Sequence, residues 1–199
     1  MQKLILASAS SRRLALLQSI NLDPDEIIST DIDESPLAKE KPEKLALRLA
    51  LEKAYAAKKD GFIITADTIV ATKSKIFHKG EDRETIEKYL HFYSGRRINI
   101  HTGVAVVRIE NGVIVKQGQK LVSNTIKFKR FTPQEIQHYL DIDHGIGTAG
   151  GVNIQGFGDS LVQWLNGSYS GILGLPLYET LNLLKGMGYI THTLKVGKN

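Results

Sequence analysis

Residues 4–13 read LILASASSRR, an apolar run followed by three serines and two adjacent arginines. The apolar run predicts a short buried strand over residues 3–7, and Leu14 and Leu17 continue the chain as a helix. A turn that ends a strand and opens a helix presents free backbone N–H groups and the positive end of the helix dipole. This stretch therefore predicts an α/β fold that begins with a phosphate-binding turn.

The side chains of this turn suit an anion as well. Ser8, Ser10 and Ser11 would add hydroxyl donors, and Arg12 or Arg13 would add a planar fork that matches phosphate oxygens. The alternative interpretation is that Ser8 or Ser10 caps the helix and that both arginines are solvated. Arginine in a first helical turn opposes the dipole, and this mismatch favours an anionic ligand.

Composition bounds the class of protein. The chain has 199 residues, 42% hydrophobic and 24% charged, which predicts one packed globular domain over residues 1–199. Cysteine is absent, so disulfides and thiolate metal sites are excluded.

Neither a signal peptide nor an apolar run of about 18 residues is present, so we expect a cytoplasmic protein without a membrane span. The net charge of +5 suits a polyanionic ligand but does not require one.

Hydrophobic periodicity and turn residues predict the remaining elements. The chain after Asn111-Gly112 is expected to run through separate strands of an antiparallel meander, and a Thr132/Glu135 capping box is expected to open the helix that follows. The predicted helices cover residues 42–58, 80–95, 132–140 and 176–188. The predicted strands cover residues 62–66, with an extended continuation over 69–72, and residues 98–110, 113–116, 119–130 and 160–165.

Two acidic sites could carry chemistry. Asp67 directly follows an apolar strand, a position that α/β enzymes use for general bases and metal ligands, although an aspartate there also simply turns the chain. The segment TDIDES adds Asp31, Asp33 and Glu34, which could hold Mg²⁺ beside substrate phosphates or could form a solvated loop.

Several other motifs are excluded or weak. GIGTAG at residues 145–150 has the letters of a dinucleotide-binding fingerprint, but it follows a helix instead of a strand, so we reject a Rossmann site. The six histidines lack ligand spacing, which argues against zinc, and no G-x-S-x-G elbow is present. Gln155, in the same glycine-rich segment, is a candidate reader of a polar base edge or else a buried amide.

Six segments occur in an order that resembles the Maf family of nucleoside triphosphate pyrophosphatases, and the likeness covers nearly the whole chain. They are LASASSRRLALL, LALEKA, ADTIV, SGRRINIHTGVAVV, AGGVNIQGFG and NGSYSGILGLPLYET. The resemblance implies an α/β fold related to the inosine triphosphate pyrophosphatases, with an elongated mixed sheet, flanking helices and a nucleotide cleft between two lobes. It implies hydrolysis of a nucleoside triphosphate to the monophosphate and pyrophosphate with a divalent metal, Mg²⁺ first and Mn²⁺ second, and a homodimer.

The resemblance also implies roles for catalytic residues. Asp67 matches the family's ADT aspartate, taken as the general base for the attacking water. Asp33 or Glu34 matches an acidic position expected to meet the metal. The remaining matched positions line the cleft with polar side chains, and they are Ser8, Arg13, Lys53 and Lys79.

Three further positions match those at which the family sets base preference. Arg12, Thr68 and Gln155 carry the Arg, Thr and Gln of members that prefer dTTP and UTP, whereas the 7-methyl-GTP group has Trp, Gln and Glu. The resemblance therefore implies a pyrimidine triphosphate as the substrate.

The chain departs from the family pattern at Thr148, where the family's D-K-A-G segment has a lysine. The alternative function is therefore a nucleotide-binding regulator with reduced or lost hydrolysis. A nucleic-acid binder, suggested by KFKRF at residues 127–131, ranks last, because strand alternation would send Phe128 to the core side, away from Lys127 and Lys129.

Overall fold

The structure is a computed structural model that describes residues 3–190, and its centre is a seven-stranded mixed sheet. The strands follow the order β2-β1-β3-β5-β6-β7, and β4 pairs with β3 beside this path. Their bounds are β1 (Leu4–Ala7), β2 (Glu26–Ile28), β3 (Gly61–Ala71), β4 (Ile76–Phe77), β5 (Arg97–Glu110), β6 (Val113–Phe128) and β7 (Val162–Asn166).

The sheet changes character along its width. Strand β1 pairs in parallel with both β2 and β3, whereas the pairs β3–β5, β5–β6 and β6–β7 are antiparallel. All four residues of β1 are buried, as expected for a strand covered on both faces. The predicted α/β class and the mixed sheet with flanking helices are confirmed.

Helices cover both faces of this sheet. The predicted capping box is present on α4, where the Thr132 hydroxyl accepts from the Glu135 N–H and the Glu135 carboxylate accepts from the Thr132 N–H. The helices are α1 (Ser11–Gln18), α2 (Pro42–Ala56), α3 (Arg83–Tyr93), α4 (Pro133–Asp141), α5 (Tyr169–Ile172) and α6 (Leu177–Met187). Within residues 3–190, no helix is long and apolar enough to cross a membrane.

The predicted meander is wrong in one respect, because residues 113–116 and residues 119–128 belong to the single long strand β6, Val113–Phe128, which ends two residues before the predicted boundary at residue 130. Gly118 stands between them without turning the chain. A Cβ atom at this position would lie 2.9 Å from Cε of Met187 and 3.0 Å from Cδ2 of Leu183. The glycine therefore marks close packing of α6 on the strand, which local sequence cannot distinguish from a turn.

Two other predicted boundaries shift. Ser160 and Leu161 were expected in the last strand, but they end a 3₁₀ helix over Gly156–Leu161, where the Ser160 hydroxyl donates to the Phe157 carbonyl. Helix α6 passes through Gly186 and ends before Gly188, whose φ of 87° is the left-handed conformation that closes many helices.

The buried side chains form three clusters. On one face of β3 and β5, one cluster holds Ile64, Ala66 and Val104 against α1 and α6, and another holds Val70 and Ile100 against α3 and α4. The third cluster lies under α2 on the opposite face.

A polar gap separates the first two clusters. Thr68 and Thr102, which are paired in register between β3 and β5, lie on the same sheet face as both clusters and between them. The hydrocarbon packing is interrupted at this point, and the interruption lies beside the carboxyl end of β1.

Candidate active site

A cavity of about 430 Å³ opens where β1 ends and α1 begins. Its lining divides into two chemical parts. The charged part holds Arg13, Glu34, Lys53, Asp67 and Lys79, and the apolar part holds Val70, Ile100, Val152, Ile154, Ile172 and Leu173. In open α/β sheets, ligands bind outside the carboxyl ends of the parallel strands, which is where this cavity lies.

The charged part contains a chain of alternating charges. Lys53 Nζ lies 2.5 Å from Oδ1 of Asp67 and 2.7 Å from Oε1 of Glu34. Lys79 Nζ lies 3.5 Å from the other oxygen of Glu34. Burial alone would raise the pKa of Glu34, but the hydrogen bonds and charges of Lys53 and Lys79 outweigh it and lower that pKa below its usual range.

Asp67 and Lys53 meet because α2 packs directly on the sheet. Asp67 lies within β3 opposite Gly103 of β5, and Lys53 lies in the last turn of α2. A Cβ atom at Gly103 would lie only 2.3 Å from the carbonyl oxygen of Ala46, in the middle of α2. The absence of a side chain at Gly103 therefore lets α2 approach closely enough for Lys53 to reach Asp67.

The turn at the start of α1 is anchored by Arg13. Its Nη1 donates to the Ser8 hydroxyl over 3.0 Å, and its Nε donates to the Gly174 carbonyl over 2.9 Å. Burial lowers the pKa of the Arg13 guanidinium, and the charges of Asp67 and Glu34 oppose this shift. Arg13 thus links the first turn of α1 to the segment between α5 and α6 while it keeps its positive charge.

The prediction that Ser8 or Ser10 caps helix α1 is confirmed for the position of Ser10 but not for its side chain. Ser10 occupies the N-cap position of α1, but its side chain makes no capping hydrogen bond. The Ser8 hydroxyl instead accepts from the Ser10 N–H over 3.2 Å. Ser8, Ser10 and Ser11 all line the cavity, so the first turn of α1 lies beside it.

Arg12 and Thr68 also line the cavity. Thr68 shares its face of the sheet with Val70 and Ile100 of the apolar part. The Thr68 hydroxyl lies 3.1 Å from that of Thr102, which donates in turn to the Gly171 carbonyl. Partial burial lowers the pKa of Arg12, and the nearby Tyr139 hydroxyl opposes the shift.

Two predicted site residues do not line this cavity. Asp33 is exposed, and its Oδ1 accepts from the Ser35 N–H over 2.9 Å. Gln155 is also exposed, and its N–H donates to Oδ1 of Asn153 over 3.1 Å. Asn153 does line the cavity, a residue that the sequence analysis missed because its neighbours in a glycine-rich loop give no periodic signal.

The glycine-rich loop forms one wall. Gly147 and Ala149 line the cavity, whereas the Thr148 side chain points away, is 2% exposed and donates to the Gly145 carbonyl over 2.7 Å. The loop is held by backbone hydrogen bonds, from Gly80 N–H to the Thr148 carbonyl and from Gly147 N–H to the Gly80 carbonyl. Lys79, the residue before Gly80, is thereby fixed at the rim of the cavity.

The basic segment near the end of β6 is placed elsewhere. Phe128 is 3% exposed and belongs to the core, as predicted. Lys127 donates to the Gly95 carbonyl, and Lys129 lies 2.5 Å from Glu135.

The fold and the cavity define an α/β protein with a cavity lined by both cationic and acidic side chains at the carboxyl end of its parallel strands. The family profile described as "Maf-like protein" matches residues 3–187, and the chain belongs to this family.

Named relatives are similar over nearly their whole length. A nucleoside triphosphate pyrophosphatase of Orientia tsutsugamushi (strain Boryong) is 42% identical over 189 residues, which are 94% of this chain and 92% of the relative. One from Rickettsia akari (strain Hartford) is 39% identical over 190 residues, 94% of each chain. Among solved structures, a HAM1 protein from Coxiella burnetii aligns with a TM-score of 0.49 and 17% identity over 94% of this chain and 100% of its own, a similarity too low to establish a shared fold.

Proposed function

We propose that the protein is a nucleoside triphosphate pyrophosphatase that releases pyrophosphate and a nucleoside monophosphate. The observation that carries this proposal is the contact of Asp67 with Lys53 inside a cavity that also holds Arg13 and Lys79. A carboxylate and several cations around one cavity are the groups needed to bind a triphosphate and activate water against it. The names of the relatives support the same activity.

The two parts of the cavity suggest how the substrate would lie. Arg13, Lys53 and Lys79 would neutralise the phosphates, with help from the first turn of α1. The base would occupy the apolar part beside Ile100, where aliphatic side chains exclude water from a planar ring. In this orientation the α-phosphate would lie close to Asp67, where the charged part of the cavity meets the apolar part.

Asp67 would then act as the general base. Its Oδ1 accepts from Lys53, so we assign its Oδ2 to the attacking water. The water oxygen would form a bond to the α-phosphorus while the bond to the bridging oxygen of the β-phosphate breaks. The proton of the water passes to Asp67, and pyrophosphate leaves with the electron pair of the broken bond.

Glu34 presents hard carboxylate oxygens at the cavity, and it would hold a divalent metal together with the substrate phosphates. Within residues 3–190, no group of three or more acidic or histidine side chains forms a complete metal site. Mg²⁺ commonly binds through one or two carboxylates plus substrate phosphates, and it would supply charge neutralisation at the phosphates. Asp33 does not line the cavity, so it would influence the metal site only indirectly, by accepting a hydrogen bond from the Ser35 N–H.

We further propose dTTP and UTP as preferred substrates. Arg12 and Thr68 line the same cavity as the apolar side chains proposed to hold the base, which supports a contact of both residues with it. Gln155 would join them through the loop that Asn153 shares with it.

The test is hydrolysis of dTTP, UTP, CTP, GTP and ATP with Mg²⁺, with pyrophosphate and orthophosphate measured separately. We expect pyrophosphate, chiefly from dTTP and UTP, and a loss of about 100-fold or more for Asp67→Asn. Asp141→Asn is the control, since Asp141 pairs with Arg83 on the surface. Binding of Mg-dTTP without turnover by the wild-type protein would contradict the proposal and support the nucleotide-binding regulator.

A further inference from the structure

The loop that carries Glu34 lacks any apolar anchor. Residues 29–41 connect β2 to α2 without helix or strand, and the side chain among them that is well buried, Glu40 at 8% exposed, is a charged one paired with Arg48. Leu37, the large aliphatic residue nearest its middle, is 60% exposed. The position of this loop, and with it of Glu34, must therefore depend on polar contacts.

Arg48 supplies most of those contacts. Its Nε and Nη2 donate to the two carboxylate oxygens of Glu40 over 2.8 and 2.9 Å, and Nη2 also donates to the Ser35 carbonyl over 2.9 Å. Ser35 directly follows Glu34 in the chain. The same Glu40 carboxylate accepts from the Leu37 N–H, so the guanidinium and this carboxylate together fasten the loop at three places.

Arg48, which holds the loop, lies on a helix that is packed firmly against the sheet. Arg48 lies on α2, whose Leu45, Leu49 and Ala50 are buried against the sheet. Lys53, the partner of Glu34, lies five residues further along the same helix. One helix thus presents both the group that pairs with Glu34 and the group that holds the backbone beside it.

We propose that Arg48 is a positioning residue that holds Glu34 at the cavity by fixing the loop of residues 29–41 to α2. This inference rests on the proposed function for its catalytic consequence. The planar guanidinium is required, because a lysine cannot bond both oxygens of Glu40 and the Ser35 carbonyl from fixed directions. Correct placement of a group beside the reacting atoms is worth up to about 100-fold in rate.

The first experiment measures amide hydrogen exchange in the protein without nucleotide, for wild type, Arg48→Lys and Glu40→Gln. We expect the Leu37 and Glu40 amides to exchange about tenfold faster or more in both variants, the size of a lost charge-assisted hydrogen bond. The amides in the middle of α2 should keep their wild-type protection. Unchanged exchange at Leu37 and Glu40 would overturn the proposal.

The second experiment measures kcat and KM of the same proteins with the nucleotide that wild type turns over best. Both variants should lose about 10- to 100-fold in kcat/KM, measured at a temperature at which each variant is fully folded. Glu52→Gln is the matched control, since Glu52 also accepts from Arg48 but does not belong to the loop. It should retain wild-type exchange and wild-type kinetics, and a loss in Glu52→Gln equal to that in Glu40→Gln would refute positioning through the loop.

The two readouts separate this inference from the proposed function. A wild-type protein that hydrolyses no nucleotide would refute the pyrophosphatase, while the exchange data would still decide whether Arg48 holds the loop. An active wild-type protein with unaltered exchange in Arg48→Lys would leave the enzyme intact and refute the positioning role. If Arg48→Lys fails to fold, Glu40→Gln gives the same decision, because it weakens the same contact from the loop side.

Discussion

Lys53 Nζ lies 2.5 Å from Oδ1 of Asp67, and only 10% and 9% of the two side chains are exposed. The residues come from different elements, α2 and β3, which meet at this point over Gly103. A charged pair so sheltered from water is costly to break from one side, because the remaining charge stays buried without its partner. The pair therefore couples the stability of the fold to the chemistry of the cavity.

Lys53→Met should destabilise the protein by about 3 kcal/mol, since methionine keeps the volume but leaves Asp67 without its partner. For a chain of this size, that corresponds to a fall of roughly 10 °C in melting temperature by calorimetry. Lys88→Met, which removes an exposed partner of Glu84, is the control and should leave the melting temperature unchanged. Adding Asp67→Asn to Lys53→Met should recover part of the loss, and a further fall would contradict the pairing argument.

Gly103→Ala should be strongly destabilising, by about 3 kcal/mol, because the new methyl group would lie 2.3 Å from the Ala46 carbonyl oxygen. Relief requires α2 to move away from β5, which would also separate Lys53 from Asp67. We therefore expect lower activity in the fraction that remains folded, measured alongside chemical denaturation.

Gly186→Ala is the matched control for this substitution. A Cβ atom at Gly186 meets nothing within 4 Å, and the residue lies inside α6. Alanine there should be neutral or stabilising by up to about 1 kcal/mol. Equal effects of the two substitutions would show that the contact with α2 is not the cause.

The sequence predicted those parts of the fold that depend on neighbouring residues. The strand-to-helix turn before Arg12, the capping box of Thr132 and Glu135 and most of α2 follow from local hydrogen bonds and periodicity, and the structure shows them. The predicted break between residues 116 and 119 was wrong, because the role of Gly118 there is set by its packing against α6, almost 70 residues away in the chain.

Most of the residues proposed for the site line one cavity, whereas Asp33 and Gln155 do not, and the contacts within the cavity were not predictable. A family resemblance assigned Lys53 and Asp67 to one cleft, whereas nothing in the local pattern reveals that they touch. Arg48 belongs to no sequence motif. Its proposed role depends on its contacts with a loop of irregular backbone, and local periodicity does not predict the path of that loop.

Stability should fall as the pH falls below about 6.5, the ordinary pKa of histidine, in part through His101. His101 is 6% exposed, and its Nδ1 lies 2.9 Å from the Ser123 hydroxyl. Burial lowers the pKa of His101, and Glu43, 3.9 Å from Nε2, opposes this shift. Below pH 6.5 the unfolded chain therefore binds a proton at this residue that the folded protein resists, and the free energy of unfolding decreases until the pH passes the lowered pKa.

The measurement is urea denaturation between pH 5 and pH 8. His101→Gln should show a shallower decline in stability than wild type on the acid side. His91→Gln, at an exposed position on α3, is the control and should retain the wild-type slope. An identical slope in His101→Gln and wild type would show that this histidine does not contribute.

Arg12→Ala should change substrate choice more than turnover. Arg13 is held by its hydrogen bonds to Ser8 and Gly174, whereas Arg12, which also lines the cavity, is the arginine that we propose contacts the base. Loss of one charge-assisted hydrogen bond to a pyrimidine base predicts a rise of about tenfold in KM for dTTP and UTP with kcat nearly unchanged. Steady-state kinetics on dTTP, UTP and GTP measure this, with the surface variant Arg83→Ala as control. An equal loss for all three nucleotides would instead assign Arg12 to the phosphates, because a phosphate contact does not distinguish one base from another.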